Sequence, residues 1–130
     1  MPIDVKFDED RALLHITLSD TWPTLPEIVA ERSRLILAGY LRPGIVELVD
    51  ARSVKRGIPN LSQMKAILQA IGSLPIKRAV LVSSNIQYAA GRLAETLDPH
   101  GVRVFREESV ALEWLFYQRQ TGKPTPAKSP

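Results

Sequence analysis

Apolar and polar residues alternate at the start of the chain, with Ile3, Val5 and Phe7 set against Asp4 and Lys6. That two-residue period is the mark of a half-buried strand. Asp8, Glu9 and Asp10 make a polar turn. Residues 11–19 predict a second strand, with Leu14, Ile16 and Leu18 on one face and Leu13, His15 and Thr17 on the other. So short a connection predicts an antiparallel hairpin. After a loop the period lengthens: Leu25, Ile28, Val29 and Ile36 fall at helical spacing, with Glu27, Glu31 and Arg34 outside. Thr24 is placed to cap this helix, and Pro26 fits its first turn, where a missing N–H costs nothing. Gly39, Pro43 and Gly44 stop it.

The stretch from Gly44 to Ser53 is the centre of the pattern. An apolar run, Ile45-Val46-Glu47-Leu48-Val49, predicts a third strand that ends on Asp50 and enters a basic loop with Arg52, Lys55 and Arg56. A second helix opens at Asn60, which has capping-box spacing to Gln63. Its apolar stripe is Leu61, Met64, Ile67, Leu68 and Ile71, and Gly72 ends it. Residues 79–82 are continuously apolar, as in a strand buried on both faces. Ser83-Ser84-Asn85 leads into a third helix with Ile86, Ala89, Ala90, Leu93, Ala94 and Leu97 inside, stopped at residues 98–101. Val102, Val104 and Phe105 predict a fifth strand. Glu107 and Glu108 suit the positive end of a fourth helix, lined by Val110, Ala111, Trp114, Leu115 and Gln118.

This order predicts an α/β fold: a five-stranded, mostly parallel sheet, its first strand antiparallel at an edge, with four helices. Right-handed crossovers put the connecting helices on one face. Alternation assigns Leu14, Ile16, Leu18, Val46, Leu48, Val102 and Val104 to that face. Leu13, His15, Thr17, Ile45, Glu47, Val49, Arg103 and Phe105 go to the other, a mixed surface that is wet, covered by the last helix, or part of a homodimer interface.

A chain of 130 residues fits one domain, placed at residues 1–120. Residues 121–130 lack large apolar side chains and predict a disordered tail. Cysteine is absent, which excludes disulfides and thiolate chemistry and fits a reducing cytoplasm. With two histidines no metal site is expected. The N-terminus does not read as a signal peptide, and no apolar run approaches the ~18 residues needed to span a bilayer. The net charge of +3 is spread among interspersed acids and bases, unlike the concentrated basic face of a nucleic-acid binder.

Several phrases now fall in a telling order: Val46-Glu47-Leu48-Val49-Asp50, Arg78-Ala79-Val80-Leu81-Val82 and Tyr88-Ala89-Ala90-Gly91-Arg92-Leu93. Val102-Arg103-Val104-Phe105 follows, then Ala111-Leu112-Glu113-Trp114-Leu115. Together they resemble the SpoIIAA-like branch of the STAS superfamily, the fold of anti-sigma-factor antagonists, over about residues 3 to 117. The resemblance implies strands in sequential order, shared in outline with CRAL-TRIO lipid-binding domains, and a regulatory, protein-binding role. It breaks at one place. Those antagonists carry a phosphorylatable Asp-Ser-Ser/Thr-Gly at the start of the helix after the third strand; here stands Ile58-Pro59-Asn60-Leu61-Ser62, with Ser62 the nearest hydroxyl. The kinase-controlled switch is therefore not carried over.

Catalytic constellations are missing from the sequence. No Gly-x-Ser-x-Gly turn is present, and the lone glycines form neither a P-loop nor a dinucleotide turn. Asp50 as a phospho-acceptor would need a pair of acids after an earlier strand and a lysine after a later one; Asp20 is single and Arg106 holds the late place. No enzymatic activity and no cofactor are expected.

In open parallel sheets ligands sit beyond the carboxyl ends of the strands. Those ends offer Ser19, Asp20, Trp22, Ser83 and Arg106. They also offer the candidate partner- or ligand-binding set: Asp50, Arg52, Lys55, Arg56, Asn60, Ser62, Ser84, Asn85, Tyr88 and Arg92. Helix-start N–H groups beside arginines attract anions, so an acidic partner segment or a small phosphate-bearing ligand fits. Equally, Asn60, Ser84 and Asn85 merely cap helices, the bases are solvated, and Asp50 bonds to nearby backbone or to Arg52. His15 reads as a half-buried spacer, His100 as exposed and Trp114 as core. Two functions follow. One is a non-enzymatic cytoplasmic interaction module working through residues 52–62 and 83–92. The other is a carrier of a small lipid-like or anionic molecule, with a pocket at the strand ends near Trp22, Tyr88 and the second and third helices.

Overall fold

Every strand and helix that the pattern predicts is formed. The structure, a computed structural model, describes residues 3–72, 74 and 76–121, with backbone alone for 118–121. The strands are β1 (Ile3–Asp8), β2 (Leu13–Leu18), β3 (Val46–Asp50), β4 (Lys77–Leu81) and β5 (Val102–Phe105). The helices are α1 (Leu25–Leu37), α2 (Leu61–Ile71), α3 (Asn85–Leu97) and α4 (Glu108–Thr121). They form one sheet in the order β1-β2-β3-β4-β5, with β1 antiparallel to β2 and the other pairs parallel. The expected tail at residues 122–130 lies outside the described residues, as does the side chain of Gln118.

Helix starts follow the sequence chemistry. Thr24, Asn60 and Ser84 each cap a helix, and Glu27, Gln63 and Gln87 complete the boxes. Each box satisfies two backbone N–H groups that a helix start leaves without partners.

The sheet has helices on both sides. α1, α2 and α3 lie on one face, and α4 packs on the other, where Ala111 and Leu115 join Leu13, Val46, Leu48, Ala79 and Leu81. The mixed face is thus covered by α4. β3 corrects the expected face assignment. Its register sets Glu47 beside Leu14 and Arg78, and Val49 beside Ile16 and Val80, under α1–α3. Val46 and Leu48 turn to α4 instead. Within a run apolar on both faces alternation assigned β3 the wrong way round, and the acid expected to face outward is buried with its partner, Arg78, directly across on β4.

Helix faces also differ from expectation. On α1, Leu35 is buried, whereas Leu25, Val29 and Ile36 are exposed. The predicted stripe leaves out Leu35, the one buried residue of this helix. Leu61, Ile86, Ala89 and Val110, all assigned inward, are exposed. Leu61, Ile86 and Val110 lie in the first turns of α2, α3 and α4. α3 approaches β5 closely because of Gly91: a Cβ there would lie 2.4 Å from Val104 Cγ2. Most close main-chain approaches of α1 and α2 are to each other and to α3 rather than to a strand.

Candidate functional site

The loops at the carboxyl ends of the parallel strands are sewn together by backbone and by one side chain. The β3–α2 loop runs beside the β2–α1 loop: Thr21 and Arg56 form a parallel bridge, Trp22 N–H donates to Arg56 O at 2.8 Å, and Lys55 N–H donates to Asp20 O at 2.8 Å. Gly57 makes this possible. It has φ +73°, and a Cβ would crowd Thr21 Cγ2 at 3.3 Å and Trp22 O at 3.4 Å. On its other side the same loop is held by Gln87. Its Nε2 donates to Arg52 O (3.1 Å) and Val54 O (2.7 Å), and its Oε1 accepts from Ser83 N–H (2.7 Å) and Ser84 N–H (3.3 Å). Gln87 is 4% exposed.

The sequence had not singled out Gln87. Its signal is Ser84-x-x-Gln87, the same capping-box spacing as Asn60-x-x-Gln63.

The predicted site residues lie along this edge, and several are already committed to one another. Asp50 takes hydrogen bonds from Arg52 through the backbone N–H (3.0 Å), Nε (3.0 Å) and Nη2 (2.8 Å). Partial burial pushes the Asp50 carboxyl up, but these bonds outweigh it and hold the group below the usual carboxylate range. Arg52 also lies 3.5 Å from Glu108 of α4. Arg56 pairs with Asp20 while staying largely exposed. Lys55 and Ser62 are exposed. Asn60 and Ser84 cap helices. Asn85 is the first residue of α3, not its cap, and its side chain accepts from Arg106 at 2.9 Å. Arg106 in turn stacks over Tyr88, 4.6 Å from its centroid. Arg92 lies one turn further along α3 and pairs with Glu95 at 3.2 Å. The edge therefore gathers Asp50, Arg52, Ser84, Asn85 and Tyr88 around the α3 start, with Arg56, Asn60 and Ser62 around the α2 start. Arg92 is left on the flank.

Two large apolar side chains stand out of this polar rim. Leu61 in the first turn of α2 is 48% exposed and Ile86 in the first turn of α3 is 68% exposed. α2 and α3 pack side by side, so both project from the same edge.

The expected pocket near Trp22 and Tyr88 takes a different form. A partly open cavity of about 140 Å³ lies between the sheet and the helix layer. Trp22 is in its wall, Tyr88 is not, and it runs under α1 and α2. Its lining is apolar apart from Glu31, Arg32, Glu47 and Arg78. Arg78 Nε donates to Glu47 Oε1 at 3.0 Å, and its other nitrogens reach Ile76 O at 3.4 Å and Ile71 O at 3.2 Å. Arg32 reaches the same Ile71 O at 3.2 Å. No group of three or more potential metal-ligating side chains occurs among the described residues. None of their helices is long and apolar enough to cross a membrane.

Comparison with known proteins bears on the fold. No family model matches the sequence, and no curated protein does. Among solved structures the chain is similar to an uncharacterised protein of the DUF3478 family, with a SpoIIAA-like fold, from Shewanella loihica PV-4. The two share 22% identity at a TM-score of 0.58, over 87% of this chain and 91% of that one. The fold of this chain is SpoIIAA-like, as the sequence resemblance implied.

Proposed function

We propose that this chain is a non-enzymatic regulatory module that binds another protein through the carboxyl edge of its sheet. The exposure of Leu61 and Ile86 in the first turns of two neighbouring helices at that edge carries the reading. Protein interfaces combine a small apolar centre with a polar rim and owe most of their affinity to a few such side chains. Here the rim is Lys55, Arg56 and Ser62, all exposed. The loops beneath are fixed by Gln87, so the surface is preorganised and little ordering is needed on binding. The net charge and the free Lys55 favour an acidic partner segment.

The test uses the double variant Leu61→Asp/Ile86→Asp. Both side chains are exposed, so its melting temperature stays near that of the parent. Affinity purification from the native host then compares parent and variant, with light scattering to register self-association. A protein, or a second copy, held by the parent and released by the variant supports the reading. Identical profiles and monomeric masses for the two would sink it.

A further inference from the structure

The cavity between the sheet and the helix layer is a separate matter from the Leu61 and Ile86 surface, and it stands or falls independently. Protein interiors are packed to crystal-like density, and voids larger than a water molecule are few. One of about 140 Å³ is close to the size that, when lined by aliphatic and aromatic side chains, stays dry and takes up benzene. The wall here is of that kind: Ile16, Leu18, Val49 and Val80 from the sheet, Ile67 and Leu68 from α2.

The charged side chains in the wall do not make it a water site. A buried water needs two to four polar partners. The Arg78 guanidinium is already spent on Glu47 and two backbone carbonyls, Arg32 donates to Ile71 O, and Glu31 is paired with Arg34. A second anion would also lie against Glu47, which is 6% exposed. What remains is a concave, mainly apolar surface, walled on one side by the indole of Trp22, whose buried Nε1–H has no hydrogen-bond partner among the described residues.

Packing explains why the space persists. α3 is drawn onto β5 by Gly91, with the small Ala90 and Ala94 beside it. α1 and α2 carry the longer side chains of Ile28, Leu35, Met64, Ile67 and Leu68. They approach each other more than the strands and roof the gap.

We propose that this cavity is a binding site for a compact, uncharged, apolar molecule, aromatic or short-chain, of about six non-hydrogen atoms. Half-buried Ile3, Trp22, Ile28 and Ile71 in its wall are the residues beside which such a molecule enters.

Fluorobenzene and 4-fluorobenzoate serve as the probe pair, followed by fluorine NMR on the full chain. Fluorobenzene is expected to bind saturably, and a Trp114→Phe form, which leaves Trp22 as the one tryptophan, is expected to change its fluorescence on binding. Intermolecular NOEs from benzene in the parent protein should reach the methyls of Val49, Ile67 and Leu68. Ala94→Leu, which fills the cavity from α3, is expected to weaken fluorobenzene binding at least about tenfold while keeping a cooperative melt. Should that variant fail to fold, the parent NOEs decide alone. No saturable binding, NOEs to other residues, or tighter binding of 4-fluorobenzoate than of fluorobenzene would each overturn the proposal.

Discussion

Glu47 and Arg78 give the sharpest test of how this interior is held. They face each other across β3 and β4, at 6% and 5% exposure, with Nε and Oε1 3.0 Å apart. Truncating one partner of a buried pair leaves the other charge uncompensated, at a cost of about 3–5 kcal/mol. Glu47→Leu should fall in that range. Arg78 keeps its two carbonyl acceptors in the variant, but neither carries a counter-charge. Arg78→Met should cost a similar amount, because it strands a carboxylate beside an apolar cavity.

The double variant Glu47→Leu/Arg78→Met should recover most of the loss. Apolar replacement of a whole buried pair is often neutral or better. The carbonyl of Ile71 keeps its bond from Arg32 at 3.2 Å, and only the long 3.4 Å bond to Ile76 is lost outright. We expect the double variant within about 1 kcal/mol of the parent, and a coupling energy of roughly 3 kcal/mol or more. Urea unfolding of the four proteins at constant m-value measures it. If either single variant cost under about 1 kcal/mol, or if the two losses simply added, the pair would not be desolvated and the assignment of Glu47 to the helix face would be wrong.

Three further outcomes follow from the same geometry. Gln87→Leu removes donor or acceptor from four loop groups and should cost about 2–4 kcal/mol, against about 1 kcal/mol or less for Gln63→Ala at the exposed box of α2; equal losses in urea unfolding would show that Gln87 is only a cap. Gly91→Ala should cost about 1–3 kcal/mol by overpacking against Val104, with part of the loss recovered when Val104→Ala is added; a neutral Gly91→Ala melt would refute the close seating of α3. Asp50 has a folded pKa below the ordinary 3.8, so the unfolded chain takes up this proton first, and the Arg52 bonds stabilise the fold above pH 3.8 and are lost as pH falls through the folded value. Asp50→Asn should therefore flatten the acid decline of the urea midpoint below pH 3.8, and parallel curves for parent and variant would remove Asp50 from that role.

The sequence was most informative where the physics is local. Alternation at Ile3, Val5 and Phe7, the capping spacings at Thr24 and Asn60 and the stops at Gly39 and Gly72 each depend on neighbours within a few residues. They placed every strand and helix and the antiparallel edge. What stayed hidden depends on residues far apart in the chain. Glu47 looked outward until Arg78, 31 positions on, came into register across the sheet. Spacing marks Leu25, Ile28, Val29 and Ile36 as the inner face of α1, yet the fold buries Leu35. Gln87 reads as an ordinary polar helix residue until the loop at Arg52 and Val54 is brought against it. The cavity had no local signature at all, since it is a property of how far two helices stand from a sheet.

The uneven seating of the helix layer sets how freely this sequence can drift. Along the α3–β5 contact there is no room for even one added carbon, so position 91 is confined to glycine unless Val104 shrinks with it. Beneath α1 and α2 the reverse holds: larger side chains at Val49, Ile67 or Ala94 would gain neighbours where the present ones face empty space. Chains of this fold that had lost any use for that space could therefore close it by small steps, each one adding stability.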